Sequence, residues 1–413
     1  DDIGHGTWVH SMGLNYAPWS KASTHYKTFL NGGATLDDIL KALTMAGNDG
    51  NLVMSNSWGS DDGDPTSPDS QLVRKLAEEG HIMIFAAGNA GPGANTIGSP
   101  AIVYHRDAAT GALRVVSVAA TDRNKKIAYF SSRGPGSYKT KTDAAYPKRP
   151  DLSAVGYNTE AGWPAHLRDA DRTDPVAGPV KAISGTSMST PSVYGAVLML
   201  LMLFGVTTKG PQADAVVNAV MSTLEKTGQP RDHEGEGFMN VDAAYQKLVP
   251  SRAAIDRWNR VSSLRADAGA RSARLELAGG SRSDVKGNDG ALNGAEEELR
   301  ALSAAYPLLA SDPKRADRLR SELDAAEYKS LVRRIAELEQ TSAAYLAAGR
   351  ESNRMNDMWD DLLSFNEKEI EPQLAAAKAR LNQILRENPR VTYDATGRLG
   401  RWWLRVTGRG PSA

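Results

Sequence analysis

Apolar residues in the first 250 positions of this 413-residue chain switch between two periods. In LDDILKALTMAG, Leu36, Ile39, Leu40 and Leu43 recur at i, i+3, i+4 and i+7, and this stripe predicts an amphipathic helix from Leu36 to Gly47. NLVMSNS, which follows, is a short buried strand. SQLVRKLAEEG is a second helix closed by glycine, HIMIFAAG a second strand and RVVSVAATD a third. VKAISGTS then approaches the apolar run Val193 to Val206, which is too short to cross a bilayer comfortably and is read as a buried core helix. Strand and helix alternating in this way predict an α/β fold, a parallel sheet with helices on both faces. Such folds bind ligands beyond the carboxyl ends of their strands.

The pattern changes after Pro250. Residues 251–295 include a stretch rich in Gly, Ser, Asp and Asn, which predicts a linker or irregular segment. Residues 296–390 are rich in Ala, Glu, Leu and Arg; Ile370, Leu374, Ala377, Leu381 and Ile384 step by four, three, four and three, and Leu331, Ile335 and Leu338 begin the same rhythm. An all-α region of antiparallel helices or a short coiled coil is expected there, with self-association through those helices as one of its roles. Residues 391–413 form a basic tail containing Trp402 and Trp403, compatible with an interfacial segment or a short packed strand.

Charge and composition narrow the function. Lysine plus arginine equal aspartate plus glutamate, at 49 each, so no global field draws nucleic acid. The chain has no cysteine, which rules out disulfides, thiol catalysis and thiolate-bound metal.

Three stretches carry chemistry together: GHGTWV around His5, FAAGNAGP around Asn89, and ISGTSMSTP around Ser187. Taken singly, each has an ordinary structural reading as a packed histidine, a turn or a helix cap. Together they suit acyl transfer. A serine hydroxyl is a weak nucleophile until an imidazole takes its proton, a role that fits His5. The tetrahedral intermediate needs fixed donors for its oxyanion, which the Asn89 amide and the Ser187 backbone N–H can supply.

GHGT, SNSWG, AAGNAG and SGTSMSTP, in that order, resemble the blocks of the subtilisin-like serine proteases, the peptidase S8 family. NYAP, FSSRGP, KRPDLSAVG and GEGFMNVDAAY agree with them, so the resemblance covers residues 1–250. It implies a serine endopeptidase acting on protein or peptide substrates, with His5 as general base, Ser187 as nucleophile and Asn89 as oxyanion donor. Ser57, Trp58 and Gly59 would pair with substrate backbone, and Ala87 and Gly88 would line the pocket for the residue before the scissile bond. The resemblance implies no cofactor for catalysis, and a secreted or cell-envelope location, bacterial in type. Asp61, Asp62 and Asp64 are read as a solvated loop or a structural calcium loop.

The family's third catalytic residue is an aspartate ending the first sheet strand, well upstream of the histidine. Only four residues precede His5, and neither Asp1 nor Asp2 stands where that strand would. The aspartate is therefore expected upstream of residue 1, with the chain incomplete, poorly folded or weakly active. Replacing such an aspartate by asparagine costs about 10⁴ in turnover. Asp394, in TYDATG, is a distant counterpart only if the fold were circularly permuted, and a turn or loose tail is the simpler reading. The competing reading is a catalytically silent scaffold that binds peptides or assembles through its helical C-terminal region. Trp8 occupies the place of a second family histidine and is read as packing.

Overall fold

The computed structural model describes residues 1–18, 20, 23–134, 149–167, 172–174, 178–277, 282–351, 364–388 and 391. It divides into two compact units, Asp1–Leu248 with Arg300–Pro307, and Val249–Leu299 with Leu308–Ala413.

The first unit is built on four parallel strands, β1 (Val53–Asn56), β2 (Ile82–Ala86), β3 (Val115–Thr121) and β4 (Leu152–Val155), adjacent in that order. Val53 lies opposite Ile82, Met83 opposite Val115 and Val118 opposite Leu152. β2 and β3 are buried along their whole length, as strands covered on both faces must be. Met54, Met83 and Phe85 join Leu43 and Ala46 of α2 (Leu36–Asn48) and Val73 and Leu76 of α3 (Pro68–Glu78) in one apolar cluster. The intervening Ile82 and Ile84 face the other side, because side chains alternate along a strand. There α4 (Thr186–Leu203) packs against all four strands. The subtilisin-like α/β arrangement read from the sequence is thus present. α4 is long and apolar enough to cross a membrane by length and composition, but two thirds of it is buried in the fold.

Sequence periodicity did not predict the second sheet, in which β7 (Gly178–Ile183) lies between β5 (Thr159–Gly162) and β6 (Arg172–Asp174), antiparallel to both. It leads the chain into α4. α1 (His5–Tyr16) crosses α4 closely enough that a Cβ built on Gly195 would lie 2.5 Å from the Gly13 carbonyl oxygen and 2.7 Å from Tyr16 Cβ. α5 (Pro211–Ser222), the short α6 (Arg231–Glu234) and α7 (Val241–Leu248) complete this unit. The Arg114 guanidinium joins α5 to the start of β3 through Asp214, at 3.0 and 2.8 Å, with both residues buried.

The second unit corrects one expectation. Residues 251–295 are not irregular: α8 (Arg252–Leu277) and α9 (Arg282–Ala305) run through nearly all of them. Ala254, Ile255, Val261 and Ala268 of α8 are buried, a stripe at helical spacing that outweighs the modest propensity cost of the interspersed Gly and Ser. After α10 (Pro307–Ser311), the long α11 (Pro313–Glu351) meets α12 (Glu371–Glu387), which a π-helical turn at Asn366–Ile370 precedes. Tyr328, Val332 and Ile335 pack on Leu381 and Ile384, with Leu374 and Ala377 against them. Arg380 pairs with Glu327 and Arg334 with Gln373, so the two helices are antiparallel. The tail 391–413, except Val391, lies outside the described residues, as does Asp394.

Candidate active site

Ser187 is the second residue of α4, which Gly185 enters in an extended conformation; Pro191, inside the helix, has no N–H to give the Ser187 carbonyl, which accepts the Ser57 hydroxyl instead. The half-buried Ser187 hydroxyl donates to the Ser57 carbonyl oxygen at 3.2 Å, and the Ser57 hydroxyl donates back to the Ser187 carbonyl at 2.9 Å. Two predicted site residues 130 positions apart are thereby joined.

Asn89 stands in the loop leaving β2, with Ala87 buried and Gly88 half-buried before it. Its Oδ1 accepts the Thr186 N–H at 2.9 Å and the Thr186 hydroxyl at 3.0 Å, which fixes the carboxamide and, among the described residues, leaves its NH₂ uncommitted. The same hydroxyl accepts the Gly88 N–H at 3.2 Å. A Cβ built on Gly185 would lie 3.5 Å from Asn89 Nδ2 and 3.6 Å from Ser187 N. The same Cβ would lie 3.3 Å from Met188 Sδ, so Asn89, Ser187 and Met188 all border Gly185. Gly88 has φ +113°, and a Cβ there would meet the Ser132 hydroxyl at 2.6 Å, so this loop closes only with glycine. Thr186 and Ser132 were missed as site residues. Ser132 accepts the Ala90 N–H and donates its own N–H to the Gly88 carbonyl, so both hold the loop from outside it.

His5 opens α1 behind Gly4, which is left-handed at φ +80°. Trp8, one turn later, is fully buried with Trp163 and Met188, the residue after Ser187, so packing brings the first turn of α1 near the start of α4. Trp8 is a core residue, and its indole N–H donates to the Lys181 carbonyl at 2.8 Å. Among the described residues no hydrogen bond or ion pair reaches the His5 imidazole. Burial holds that ring below the usual histidine pKa, so it is neutral and able to accept a proton at pH 7. The Asp1 carboxylate makes no hydrogen bond to it among the described residues; it accepts the N–H groups of Ile3, Gly4 and Thr7 and caps the helix. Asp2 pairs with Lys27 at 3.0 Å.

His5 and Ser57 line one cavity of about 1150 Å³. One wall is the outer edge of β1, another the irregular segment 23–29, and its floor includes Leu198 and Leu201 of α4. Among the described residues no strand pairs with that edge, and the buried Ser55 hydroxyl on β1 has no partner.

The predicted substrate edge is only partly open. Trp58 donates its indole N–H to Asn56 Oδ1 at 3.2 Å and packs edge-on against Phe85, which makes it half a core residue. Gly59 lies so close to Ser99 that a Cβ would meet the Ser99 carbonyl oxygen at 2.6 Å. In the acidic loop, Asp62 accepts the Asp64 N–H and the Ser99 hydroxyl, and Asp64 accepts from Thr66. Among the described residues no group of three acidic or histidine side chains is placed to hold a metal.

The sequence profile of the subtilase family, peptidase S8, matches residues 17–238, more than half of the chain. The chain belongs to the subtilase family. Its match begins after His5, so the histidine rests on its own motif and position. This subtilase is 31% identical over 268 residues to pyrolysin of Pyrococcus furiosus, covering 55% of this chain and 18% of pyrolysin. To subtilisin Savinase of Lederbergia lenta it is 28% identical over 255 residues, 59% of this chain and 78% of that protein. It is 30% identical over 225 residues to the serine protease AprX of Bacillus subtilis, covering 49% of each. Among solved structures, a lanthipeptide protease aligns at 19% identity and TM-score 0.46, over 60% of this chain and 76% of that one.

Proposed function

We propose that this subtilase is a serine endopeptidase working through an acyl-enzyme. The single observation behind this reading is the pair of hydrogen bonds from the Thr186 N–H and hydroxyl to Asn89 Oδ1, which ties the predicted oxyanion donor to the residue before Ser187. The Ser187 oxygen attacks the substrate carbonyl carbon while His5 takes its proton, and the oxyanion is held by the Asn89 amide and the Ser187 N–H. Collapse breaks the peptide bond, His5 returns the proton to the leaving amine, and water repeats the sequence to release the acid. Ser57, Trp58 and Gly59 guide the extended substrate, and Ala87 and Gly88 line the pocket before the scissile bond. No cofactor enters the reaction, and the site of action is extracellular or in a bacterial envelope.

The partner that orients His5 is a carboxylate on a strand preceding residue 1. Support comes from the cavity beside β1, which adjoins His5, runs along a strand edge unpaired among the described residues and contains a hydroxyl without a partner among them. The 413-residue chain alone is accordingly a weak enzyme. The alternative, a silent scaffold binding peptides or self-associating through α8–α12, is favoured by the lack of any partner for His5 among the described residues. A fluorophosphonate probe decides between them in the full-length protein: labelling of Ser187 with peptide cleavage, both lost in Ser187→Ala, is expected. Absence of labelling and cleavage would leave the scaffold.

A further inference from the structure

Trp163 follows β5 directly and is buried against the segment that opens α1. A Cβ built on Gly4 would lie 2.4 Å from its Cη2 and Cζ2 and 2.6 Å from its Cε2. The indole thus fills the space that a side chain would need at the residue before His5. Gly4 is left-handed at φ +80°, and a glycine backbone has many other conformations open to it. A ring lying against its Cα restricts them.

The ring is itself held from the second sheet. The Trp163 N–H donates to the Pro179 carbonyl at 2.7 Å, and the Lys181 ammonium on β7 lies over the ring, 4.6 Å from its centre. The Lys181 carbonyl accepts the Trp8 indole N–H at 2.8 Å, so one residue of β7 meets both indoles. On either side of Trp163 the chain touches the N-terminal segment again. The Gly162 N–H donates to the Ser11 hydroxyl at 2.8 Å, and His166 Nε2 donates to the Asp1 carbonyl at 2.9 Å. Trp163 also shares an apolar cluster with Trp8 and with Met188, the residue after Ser187.

From this placement we infer that Trp163 is a positioning residue for the general base: its indole fixes the backbone of Gly4 and His5, and with it the reach of the imidazole to the Ser187 hydroxyl. The inference rests on the endopeptidase reading, in which His5 takes the Ser187 proton. The carboxylate proposed upstream orients the ring, whereas Trp163 fixes where the chain carries it. Asn89 is tied to Thr186, and Ser57 to Ser187, by hydrogen bonds that do not involve Trp163. Loss of the indole therefore acts on proton transfer, where a displacement of about 1 Å costs about 10²-fold in rate.

The test is a double-mutant cycle in the full-length protein, read with an internally quenched peptide and an activated ester. Trp163→Ala should lower kcat on the peptide by about 10²-fold with KM within about twofold, and Trp163→Phe, which keeps a ring against Gly4, should recover all but about fivefold. In a His5→Ala background the ester reports the residual hydrolysis. There Trp163→Ala should change the rate by less than about twofold, because the group through which it acts is gone. Equal losses on the ester in both backgrounds mean a general structural contact and overturn the inference while leaving the peptidase intact, as does a parental kcat in Trp163→Ala. Should the alanine protein fail to fold, Trp163→Leu takes its place in the cycle, since leucine keeps an apolar side chain without the flat ring. Should the parent cleave nothing, the endopeptidase reading fails, and placement is read from diethyl pyrocarbonate modification of His5 followed by mass spectrometry. The His5 rate should rise several-fold in Trp163→Ala and return in Trp163→Phe; a rate unchanged by the loss of the indole overturns the inference.

Discussion

The crossing of α1 and α4 carries His5 and Ser187, between which the proposed mechanism passes a proton, and Gly195→Ala perturbs it at one atom. The added Cβ would sit 2.5 Å from the Gly13 carbonyl oxygen and 2.7 Å from Tyr16 Cβ, where ordinary contact begins at 3.4 Å. Neither neighbour is the far end of a flexible side chain, so α1 must move away from α4 by about 0.9 Å, the difference between the two distances. Overpacking of this kind costs about 3 kcal/mol, at the upper end of its usual range. Replacing glycine by alanine inside a helix returns about 1 kcal/mol, leaving a net loss of about 2 kcal/mol. The chemical consequence is sharper, because misplacing a catalytic group by about 1 Å costs about 10²-fold in rate. Urea denaturation and peptide turnover measure the two effects on one preparation. Gly269→Ala in α8 is the counterpart: nothing lies within 4 Å of its Cβ, and it should stabilise by up to about 1 kcal/mol. A Gly195→Ala protein as stable as the parent, with turnover within about twofold, would refute the role given to this crossing.

Other perturbations separate the chemistry from the scaffold. Asn89→Ala should lower kcat by about 10²–10³ with KM little changed, a figure taken over from oxyanion donors in enzymes of the subtilisin type. Thr186→Val removes one of the two bonds to Asn89 Oδ1 and should cost about fivefold; equal kcat in parent and variant would show that the amide needs no such anchor. Asp214→Ala strips the bidentate partner from buried Arg114 but leaves Asp107 at 3.1 Å, so the loss in chemical denaturation should be about 3 kcal/mol, the low end for a broken buried pair. Burial holds His5, His10, His25, His81, His105 and His233 below the ordinary value of 6.5. The unfolded chain therefore binds protons first as pH falls. Stability is fully present above 6.5 and is lost below it toward the folded-state pKa values, so Tm should be lower at about pH 5.5 than at about pH 7.5. A flat or rising Tm over that interval would contradict the assignment.

Local patterning sufficed for the elements whose residues obey one period. The predicted helix at Leu36–Gly47 is observed as α2, and the strands in NLVMSNS, HIMIFAAG and RVVSVAATD are observed as β1, β2 and β3, because burial on one or both faces repeats at a spacing the chain itself displays. Residues 251–295 escaped that reading: their Gly, Ser and Asp content masked the stripe of Ile255, Val261 and Ala268, whose burial depends on neighbouring helices.

At the site, His5, Asn89 and Ser187, the side chains proposed for acyl transfer, stand out in the sequence by their small neighbours. Their restraints do not. Thr186 grips Asn89 across 97 positions and Ser57 meets Ser187 across 130, and no local period encodes a hydrogen bond between such distant positions. Nor could composition distinguish Asp1 as the cap of α1 from a partner for His5, or tell that Trp58 is half committed to the core. The hydrogen bonds of Thr186 to Asn89 and the cavity beside β1 exist only once the chain has packed. Each is a relation between segments, and distances between segments are set by how well their surfaces fit.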